Sequence, residues 1–294
     1  MTTVAFIGLG NMGLPMAKNL VGAGFDVQGF DLSEDLCASL EAAGGKGFSD
    51  MAATVSNADA VVTMLPNGNI VKNVYLGGDG ILASAKKGAL LIDSSTIDVE
   101  TAREVAAAAA EVGFQMVDAP VSGGISGAAA GTLAFMIGGP DADVEQAKVI
   151  IEPMAGKMVH AGGSGNGQAA KICNNMALAI QMISMGEAFN LGRSLGVEDQ
   201  VLYDIMSGAS AQCWSLTTYC PVPGPVPTSP ANNDYEPGFA TALMHKDLGL
   251  AMEAAVGAGA NTPLGKVSAD LYAQMADSDM GDKDFSGMIN FLKK

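Results

Sequence analysis

A glycine motif near the N-terminus constrains the fold of this chain more than any other feature. Val4–Ile7 is an apolar run typical of a buried strand, and three glycines in GxGxxG spacing follow it directly. In such a motif the first glycine makes a tight turn, the second lets a pyrophosphate approach, and the third lets helix and strand pack closely. The motif predicts a dinucleotide bound at a helix N-terminus. The residues predicted to bind it are Gly8, Leu9, Gly10, Asn11, Met12 and Gly13.

An acidic residue follows where a dinucleotide site needs one. Asp31 comes directly after the second predicted strand, Val27–Phe30, and lies 18 residues after Gly13. A carboxylate at about this distance hydrogen-bonds a ribose 2′-hydroxyl in such sites. It would repel the 2′-phosphate of NADP, and Leu32 and Ser33 supply no arginine to neutralise one. We therefore expect NAD and not NADP as the cofactor. The alternative to a dinucleotide site as a whole is a glycine-rich turn followed by a surface aspartate.

Apolar runs alternate with helical segments over the first 160 residues, an arrangement typical of a parallel sheet covered on both faces. We therefore predict an α/β fold for residues 1–162, with a Rossmann-type, doubly wound and mostly parallel sheet. One predicted helix begins at Glu34, with Ser33 as its cap. The further predicted strands are Ala60–Leu65, Ala89–Ile92, Phe114–Val117, Leu133–Ile137 and Met158–His160. The predicted helices are Met12–Ala23, Glu34–Ala43 and Val99–Val112.

The strand pattern stops near Gly165. The pattern then predicts an all-α domain over residues 163–294, joined through a long interdomain helix at about 165–195. Five prolines between residues 221 and 230 must be extended or turned, because proline cannot continue a helix. The helices predicted in this half are Gln168–Leu195, Val201–Met206, Ala240–Ala258 and Leu264–Ala276. Their apolar Gly- and Ala-rich faces would be hard to satisfy in a monomer, so we expect a homodimer or homotetramer.

Charge and composition exclude several classes of protein. The chain has 15 Lys plus Arg against 31 Asp plus Glu, a formal charge of −16, which disfavours nucleic-acid and anionic membrane partners. A strand begins within four residues of Met1, so we expect no leader segment and a cytoplasmic location. The four cysteines lack CxxC spacing, as expected of reduced thiols. Two histidines and no HExxH predict no metal site.

Candidate binding segments follow three further predicted strands. Asp118-Ala-Pro-Val-Ser-Gly-Gly124 would expose backbone N–H groups beside a hydroxyl, an array suited to a carboxylate ligand. The alternative for this segment is an ordinary glycine-rich turn. Leu65-Pro66 and Ser94–Thr96 are predicted to complete the cofactor cleft, since ligands of open α/β sheets lie beyond the carboxyl ends of strands. Ordinary turns are again the alternative.

The long helix carries a candidate for proton transfer. Gly167, Lys171 and Asn175 share one face at i, i+4 spacing. A buried lysine can exchange protons near neutral pH, and Gly167 is predicted to leave room for a ligand. The alternative is a lysine whose stem packs on the protein while its amine reaches solvent. Lys246 and Asp247, in a later helix, are weaker candidates that could equally be surface charges.

Together these motifs resemble the β-hydroxyacid dehydrogenase family over essentially the whole chain. Two more segments, Cys213–Ser215 and Tyr219–Gly224, resemble the branch that acts on 3-hydroxyisobutyrate. The segments that carry the family resemblance are Phe6–Gly13 with Met16–Leu20, Asp118–Gly124, Gly167–Asn175 and Lys246–Ala251.

The resemblance implies a role for each candidate residue. Lys171 would accept the proton of a substrate hydroxyl, and Asn175 would orient the lysine or the substrate. The substrate carboxylate would be held by Ser122, Gly123 and Gly124. The nicotinamide side would be lined by Leu65, Pro66 and Thr96, and Lys246 would lie over the cofactor. The walls of the substrate pocket would be Trp214 and Phe239, for which plain core packing is the alternative.

The expected reaction is NAD-dependent oxidation of the small 3-hydroxy acid 3-hydroxyisobutyrate to methylmalonate semialdehyde, a step of valine degradation. One alternative is a tartronate semialdehyde, succinic semialdehyde or glyoxylate reductase of the same family that uses NADPH. A second is a non-catalytic dinucleotide-binding module. The resemblance also implies that the helical domain builds the oligomer interface.

Overall fold

The computed structural model describes residues 1–293 and divides into two compact units. The first unit is residues 1–171, and the second begins at Ile172. The division falls inside the long helix, whereas the sequence pattern placed it just ahead of that helix. Among the described residues, no helix has both the length and the apolar character needed to cross a membrane.

The first unit is built on one sheet, to which nine strands contribute within the described residues. Six parallel strands lie in the order β3-β2-β1-β4-β5-β6, the order of a dinucleotide-binding sheet. β8 then pairs antiparallel with β6 and β7, and β9 pairs parallel with β8. The predicted Rossmann-type, mostly parallel sheet is confirmed. The strands are β1 (Thr3–Ile7), β2 (Asp26–Phe30), β3 (Lys46–Phe48), β4 (Ala60–Thr63), β5 (Leu90–Asp93), β6 (Gln115–Asp118), β7 (Val121–Ser122), β8 (Leu133–Gly138) and β9 (Ala155–Gly162).

Helices cover both faces of this sheet, and strand β1 shows why its sequence is continuously apolar. Successive side chains of a strand point to opposite faces. Val4 and Phe6 enter one hydrophobic core, while Ala5 and Ile7 enter the other, and all four are at most 1% exposed. The helices of this unit are α1 (Gly13–Gly22), α2 (Glu34–Glu41), α3 (Met51–Val55), α4 (Gly68–Leu76), α5 (Ile81–Ser84), α6 (Val99–Glu111), α7 (Gly124–Ala130) and α8 (Asp141–Ile151), with a 3₁₀ turn at Glu152–Met154.

One predicted helix cap is wrong in its chemistry. Ser33 stands at the N-cap position of α2 with extended backbone, but its side chain makes no capping hydrogen bond within the described residues. Its backbone N–H is instead bound by the Asp31 carboxylate at 2.9 Å. Helices α3 and α6 do have side-chain caps, from Asp50 and Asp98. Ser33 therefore belongs to the loop that fixes Asp31.

The second unit is all-helical among its described residues, as predicted. The proline-rich stretch between the helices is non-helical apart from one 3₁₀ turn, and hydrogen bonds hold it. The Ser229 hydroxyl donates to the Cys220 carbonyl at 2.6 Å, and the Tyr235 hydroxyl donates to the Pro221 carbonyl at 2.8 Å. The helices are α9 (Asn166–Ser194), which begins in the first unit, α10 (Asp199–Ser207), α11 (Trp214–Thr217), α12 (Thr241–Ala258), α13 (Pro263–Ala276) and α14 (Met288–Phe291), with 3₁₀ turns at Pro230–Asn232 and Phe285–Gly287.

Candidate functional site

The three motif glycines differ in what surrounds them. Gly8 has a φ of +94°, and a Cβ there would collide with the Met64 carbonyl oxygen. A Cβ on Gly13 would collide with the Gly8 carbonyl oxygen, as expected where helix and strand pack closely. A Cβ on Gly10 would meet no protein atom within 4 Å. The fold therefore requires Gly8 and Gly13, while Gly10 borders open space, which fits a pyrophosphate.

The donor set beside this loop also fits a dinucleotide. Helix α1 begins at Gly13 with no side-chain cap among the described residues, so the positive end of its dipole is open to a phosphate. The Leu14 N–H already donates to the Gly10 carbonyl at 3.1 Å and Pro15 has no N–H, so the donors left for a phosphate come from the start of the helix and the loop before it. Asp31 Oδ2 accepts the Leu9 N–H at 2.7 Å, and Oδ1 accepts the Ser33 N–H at 2.9 Å. A carboxylate oxygen can accept more than one hydrogen bond, so Asp31 retains capacity for ribose hydroxyls. Leu32, next to it, is 93% exposed.

A buried polar cluster lies at the carboxyl ends of β4 and β5. The Leu65 N–H donates to Ser95 Oγ at 2.8 Å, and the Ser95 hydroxyl donates to Asp93 Oδ1 at 2.6 Å. The Thr63 hydroxyl donates to the same Asp93 oxygen at 2.7 Å. Asp93 is 1% exposed. The cluster thus fixes the loops in which Pro66 and Thr96 lie. Thr63 and Asp93 were not among the predicted site residues, although the available signal was a polar residue that closes each apolar strand.

The predicted carboxylate-binding loop has a backbone that favours glycine. Ser122 ends β7 and is half-buried, and the next two residues, Gly123 and Gly124, have φ values of +137° and +64°. Residues that carry a side chain rarely adopt such φ values. A Cβ on Gly123 would also come within 3.0 Å of a Leu133 methyl carbon. The backbone of this stretch therefore favours glycine, and its binding of a carboxylate stays a prediction.

Asp118 binds the start of α9. Its Oδ1 accepts the Gly165 N–H at 2.6 Å, and its Oδ2 accepts the Gln168 N–H at 2.9 Å. Burial raises the pKa of Asp118 to about 6, although the two N–H donors oppose that shift, and Asp93 on the neighbouring strand adds to it. The interpretation of Gly167 is wrong, because a Cβ there would collide with the Met136 carbonyl and the Asp118 carboxylate. Gly167 allows the helix to pack against the sheet and does not make room for a ligand.

Lys171 and Asn175 lie one turn apart on α9 and are 6% and 1% exposed. The Asn175 amide is oriented from both sides within the second unit. Its Nδ2 donates to Asp247 Oδ2 at 2.5 Å, and its Oδ1 accepts from Asn174 Nδ2 at 2.9 Å. Asp247 is 4% exposed, so it is no surface charge, and Lys246 beside it on α12 is half-buried.

The two candidate pocket residues of the second unit differ in environment. Trp214 is 46% exposed and stacks on Tyr219 with 4.9 Å between ring centroids. Phe239 is half-buried and packs edge-on against Phe285 at 5.6 Å. The Phe239 N–H is bound by Asp284 Oδ2 at 2.9 Å. Core packing accounts for much of the Phe239 environment, while Trp214 presents nearly half of its surface.

Two family models together match nearly the whole chain. Residues 3–163 match the NAD binding domain of 6-phosphogluconate dehydrogenase, and residues 165–292 match the NAD-binding model of NADP-dependent 3-hydroxyisobutyrate dehydrogenase. These matches meet at the start of α9.

Individual relatives agree with the models over full length. A probable 3-hydroxyisobutyrate dehydrogenase of Mycobacterium bovis is 54% identical over 293 residues, 100% of this chain and 98% of that protein. The human mitochondrial 3-hydroxyisobutyrate dehydrogenase is 44% identical and covers 100% of this chain and 87% of its own. The solved structure of the Mycobacterium tuberculosis 3-hydroxyisobutyrate dehydrogenase with L-serine is 54% identical, covers 100% of both chains and superposes with a TM-score of 0.96. The chain therefore belongs to the β-hydroxyacid dehydrogenase family.

Proposed function

We propose that this protein catalyses the NAD-dependent oxidation of 3-hydroxyisobutyrate to methylmalonate semialdehyde. The observation that carries the proposal is the buried Lys171, which follows by three residues Gln168, whose N–H is bound by Asp118 at the end of β6. An amine held at the carboxyl ends of the strands lies where ligands of such sheets bind. Relatives with 54% and 44% identity that bear the name 3-hydroxyisobutyrate dehydrogenase support the choice of substrate.

In this proposal bound NAD supplies a hydride acceptor, C4 of its nicotinamide. Lys171 Nζ takes the proton of the substrate hydroxyl as the carbon–hydrogen bond breaks, and it returns that proton in the reverse direction. Asn175, oriented by Asn174 and Asp247, positions the reacting groups. The protein thereby contributes proton transfer and orientation to the reaction.

The substrate carboxylate is assigned to Ser122, Gly123 and Gly124. The hydroxyl and consecutive N–H groups of this loop can bind a carboxylate with charge-assisted hydrogen bonds. A chain with only two arginines and a net charge of −16 needs such neutral donors to attract an acid.

The preference for NAD over NADP rests on Asp31 and Leu32. Two backbone N–H groups hold the Asp31 carboxylate beside the glycine loop, where it would repel a 2′-phosphate. The exposed Leu32 side chain carries no charge that could compensate. Leu65, Pro66 and Thr96 are assigned to the nicotinamide side, and Lys246 to the cofactor.

The test of this function is Lys171→Ala. We expect kcat to fall by roughly a thousandfold, since proton transfer by a positioned side chain contributes roughly 10² to 10⁴. The affinity for NAD, measured by quenching of protein fluorescence, should stay within about threefold of the wild type. Lys157→Ala, an exposed lysine of the same unit, is the matched control and should retain full activity. Turnover within tenfold of the wild type in Lys171→Ala would remove Lys171 from the mechanism.

We also propose that residues 1–162 bind NAD and that residues 163–294 contribute to the substrate site and form the interface of a homodimer or homotetramer. Apolar side chains on α12 and α13 support the interface: Val256 is 83% exposed, Leu264 63% and Val267 54%. Sedimentation equilibrium would measure the mass of the assembly. The four cysteines are free thiols, which supports a cytoplasmic location.

A further inference from the structure

We propose that Asp118 and Gln168 are positioning residues that set the place of Lys171 relative to the loops carrying Leu65 and Thr96. The inference rests on the proposed function, because it assigns those loops to the cofactor and Lys171 to the reacting hydroxyl. All of these residues lie in the first unit.

The first element of the connection is the Asp118 carboxylate. It binds the N–H groups of Gly165 and Gln168 at 2.6 and 2.9 Å, one before and one within the first turn of α9. A helix start leaves these donors without intrahelical partners, and a carboxylate there also interacts favourably with the helix dipole. Lys171 follows Gln168 by less than one turn, so its backbone position is set by this attachment.

The second element is the Gln168 side chain, which binds on both sides of Thr96. Its Nε2 donates to the Ser95 carbonyl at 2.7 Å, and its Oε1 accepts the Ile97 N–H at 3.2 Å. One side-chain amide thus pairs with the loop backbone as a neighbouring strand would. Both the donor and the acceptor are used, so a residue with only one of these functions cannot replace it.

The third element extends the connection to Leu65. Ser95, whose carbonyl accepts from Gln168, uses its hydroxyl to accept the Leu65 N–H and to donate to Asp93. Hydrogen bonds therefore run without a break from Leu65 through Ser95 to Gln168, three residues before Lys171.

Burial and close packing make this connection stiff. Gln168 and Ser95 are 0% exposed, and Asp118 is 4% exposed, so water does not readily replace a lost partner. Cβ atoms on Gly138 and Gly167 would lie 2.5 and 2.7 Å from oxygens of the Asp118 carboxylate, which is closer than van der Waals contact allows. Close packing therefore allows the helix start only one position on the sheet. Loss of a hydrogen bond in the network would displace the whole first turn.

Two substitutions break the network with little change in shape. Gln168→Glu places a carboxylate oxygen opposite the Ser95 carbonyl, where a donor stood. Asp118→Asn leaves one acceptor oxygen for the N–H groups of Gly165 and Gln168, and its NH₂ group then faces one of these two donors. Gln146→Glu is the matched control for the first, since Gln146 is exposed in the same unit. Asp98→Asn is the control for the second, since Asp98 caps α6 and asparagine caps helices equally well.

The experiment measures kcat, the KM for substrate, the NAD dissociation constant and amide hydrogen exchange of the unliganded protein. In both variants we expect kcat to fall roughly tenfold to hundredfold, as ångström-scale misplacement of reacting groups does. NAD affinity should stay within about threefold. Exchange should accelerate by about tenfold or more over residues 94–98 and 165–171, and the two controls should match the wild type.

The outcomes separate the inference from the proposed function. If the wild-type protein oxidises 3-hydroxyisobutyrate but Gln168→Glu keeps both kcat and amide protection, the inference is wrong and the function stands. If the wild type turns over no small hydroxy acid, the function fails, and the inference about Lys171 fails with it. Should Asp118→Asn not fold, Gln168→Glu decides alone. A variant that loses NAD affinity as much as kcat would show a general structural role and overturn the positioning role.

Discussion

Each unit of this protein buries an aspartate at the centre of a hydrogen-bond network, but the two aspartates have different surroundings. Asp118, in the sheet unit, accepts two backbone N–H groups from the start of one helix. Asp284, in the helical unit, is 0% exposed and accepts five hydrogen bonds. Its donors are the Tyr219 hydroxyl, the N–H groups of Gly238, Phe239 and Ser286, and the Ser286 hydroxyl.

The difference shows what each network accomplishes. Asp284 joins chain segments that have neither strands nor long helices to hold them, and five donors compensate its burial. Asp118 has fewer donors, and burial raises its pKa to about 6. Backbone hydrogen bonds already hold the strands of the sheet, so the Asp118 network serves to position the start of α9. The Asp284 network instead stabilises the packing of the loops that it connects.

Individual glycines also differ in what surrounds them. In the sheet unit Gly13 and Gly167 have protein atoms where a Cβ would be, so their lack of a side chain is required by packing. In α12 of the helical unit, Gly249 has no neighbour within 4 Å of a Cβ position. The same residue type is therefore a packing requirement at Gly13 and Gly167 and only a weak helix former at Gly249.

Asp284→Asn is expected to have the largest effect on stability. Asparagine has one acceptor oxygen where aspartate has two, so some of the five buried donors lose their partner. We therefore expect the free energy of unfolding to fall by roughly 3 kcal/mol. Tm, followed by circular dichroism, should drop by roughly 6–10 °C. Asp234→Asn is the matched control, an aspartate of the same unit whose side chain is 89% exposed, and it should change Tm by less than about 2 °C. Equal shifts in the two variants would refute a structural role for the Asp284 network.

The second prediction concerns pH and Asp118. Its pKa is raised from 3.8 in the unfolded chain to about 6, so the folded state binds the proton more tightly between these values. Its contribution to stability is therefore present below pH 4 and is lost as pH rises through 6, by at most about 3 kcal/mol. Relative to Asp118→Asn, which does not titrate there, the wild-type Tm should fall between pH 4.5 and 7.5. A constant difference across this range would contradict the burial account.

The smallest expected effect is that of Gly249→Ala. An alanine in the middle of α12 meets open space, so helix propensity should raise the free energy of unfolding by about 0.5–1 kcal/mol. Gly167→Ala should instead lower it, because the added methyl group collides with the Met136 carbonyl. Thermal melts of the two variants should shift in opposite directions; a loss at position 249 would show that another surface covers this face.

Most of the fold was predictable because its signals are local. β1 and α9 announce themselves by continuous apolar runs and helical periodicity, and their observed bounds lie within two residues of the predicted ones. β3 and α4 were not predicted. The first has three residues, one of them glycine, and the second is a glycine-led helix whose Asn67 cap resembles a turn. Short elements of this kind are fixed by packing on neighbours, which the sequence pattern does not show.

The site was predictable where chemistry and spacing coincide. The structure places the open space at Gly10, and it buries Lys171. Gln168 lay inside a motif that had been quoted, yet its two partners are more than 70 residues away in sequence and were invisible there. Gly167 was misread for the same reason, since the atoms that fill its Cβ position come from β6 and β8. Contacts at strand ends between residues far apart in sequence are therefore the part of the site that the sequence pattern could not predict.

The proposed substrate and cofactor can be checked together by measuring kcat/KM for a panel of small hydroxy acids with NAD and with NADP. The panel contains 3-hydroxyisobutyrate, serine and glycerate, with succinic semialdehyde, tartronate semialdehyde and glyoxylate assayed in reverse. We expect kcat/KM for 3-hydroxyisobutyrate with NAD to exceed that of every other pair by roughly tenfold or more. A semialdehyde or glyoxylate reduced best with NADPH, or serine preferred by tenfold, would contradict it.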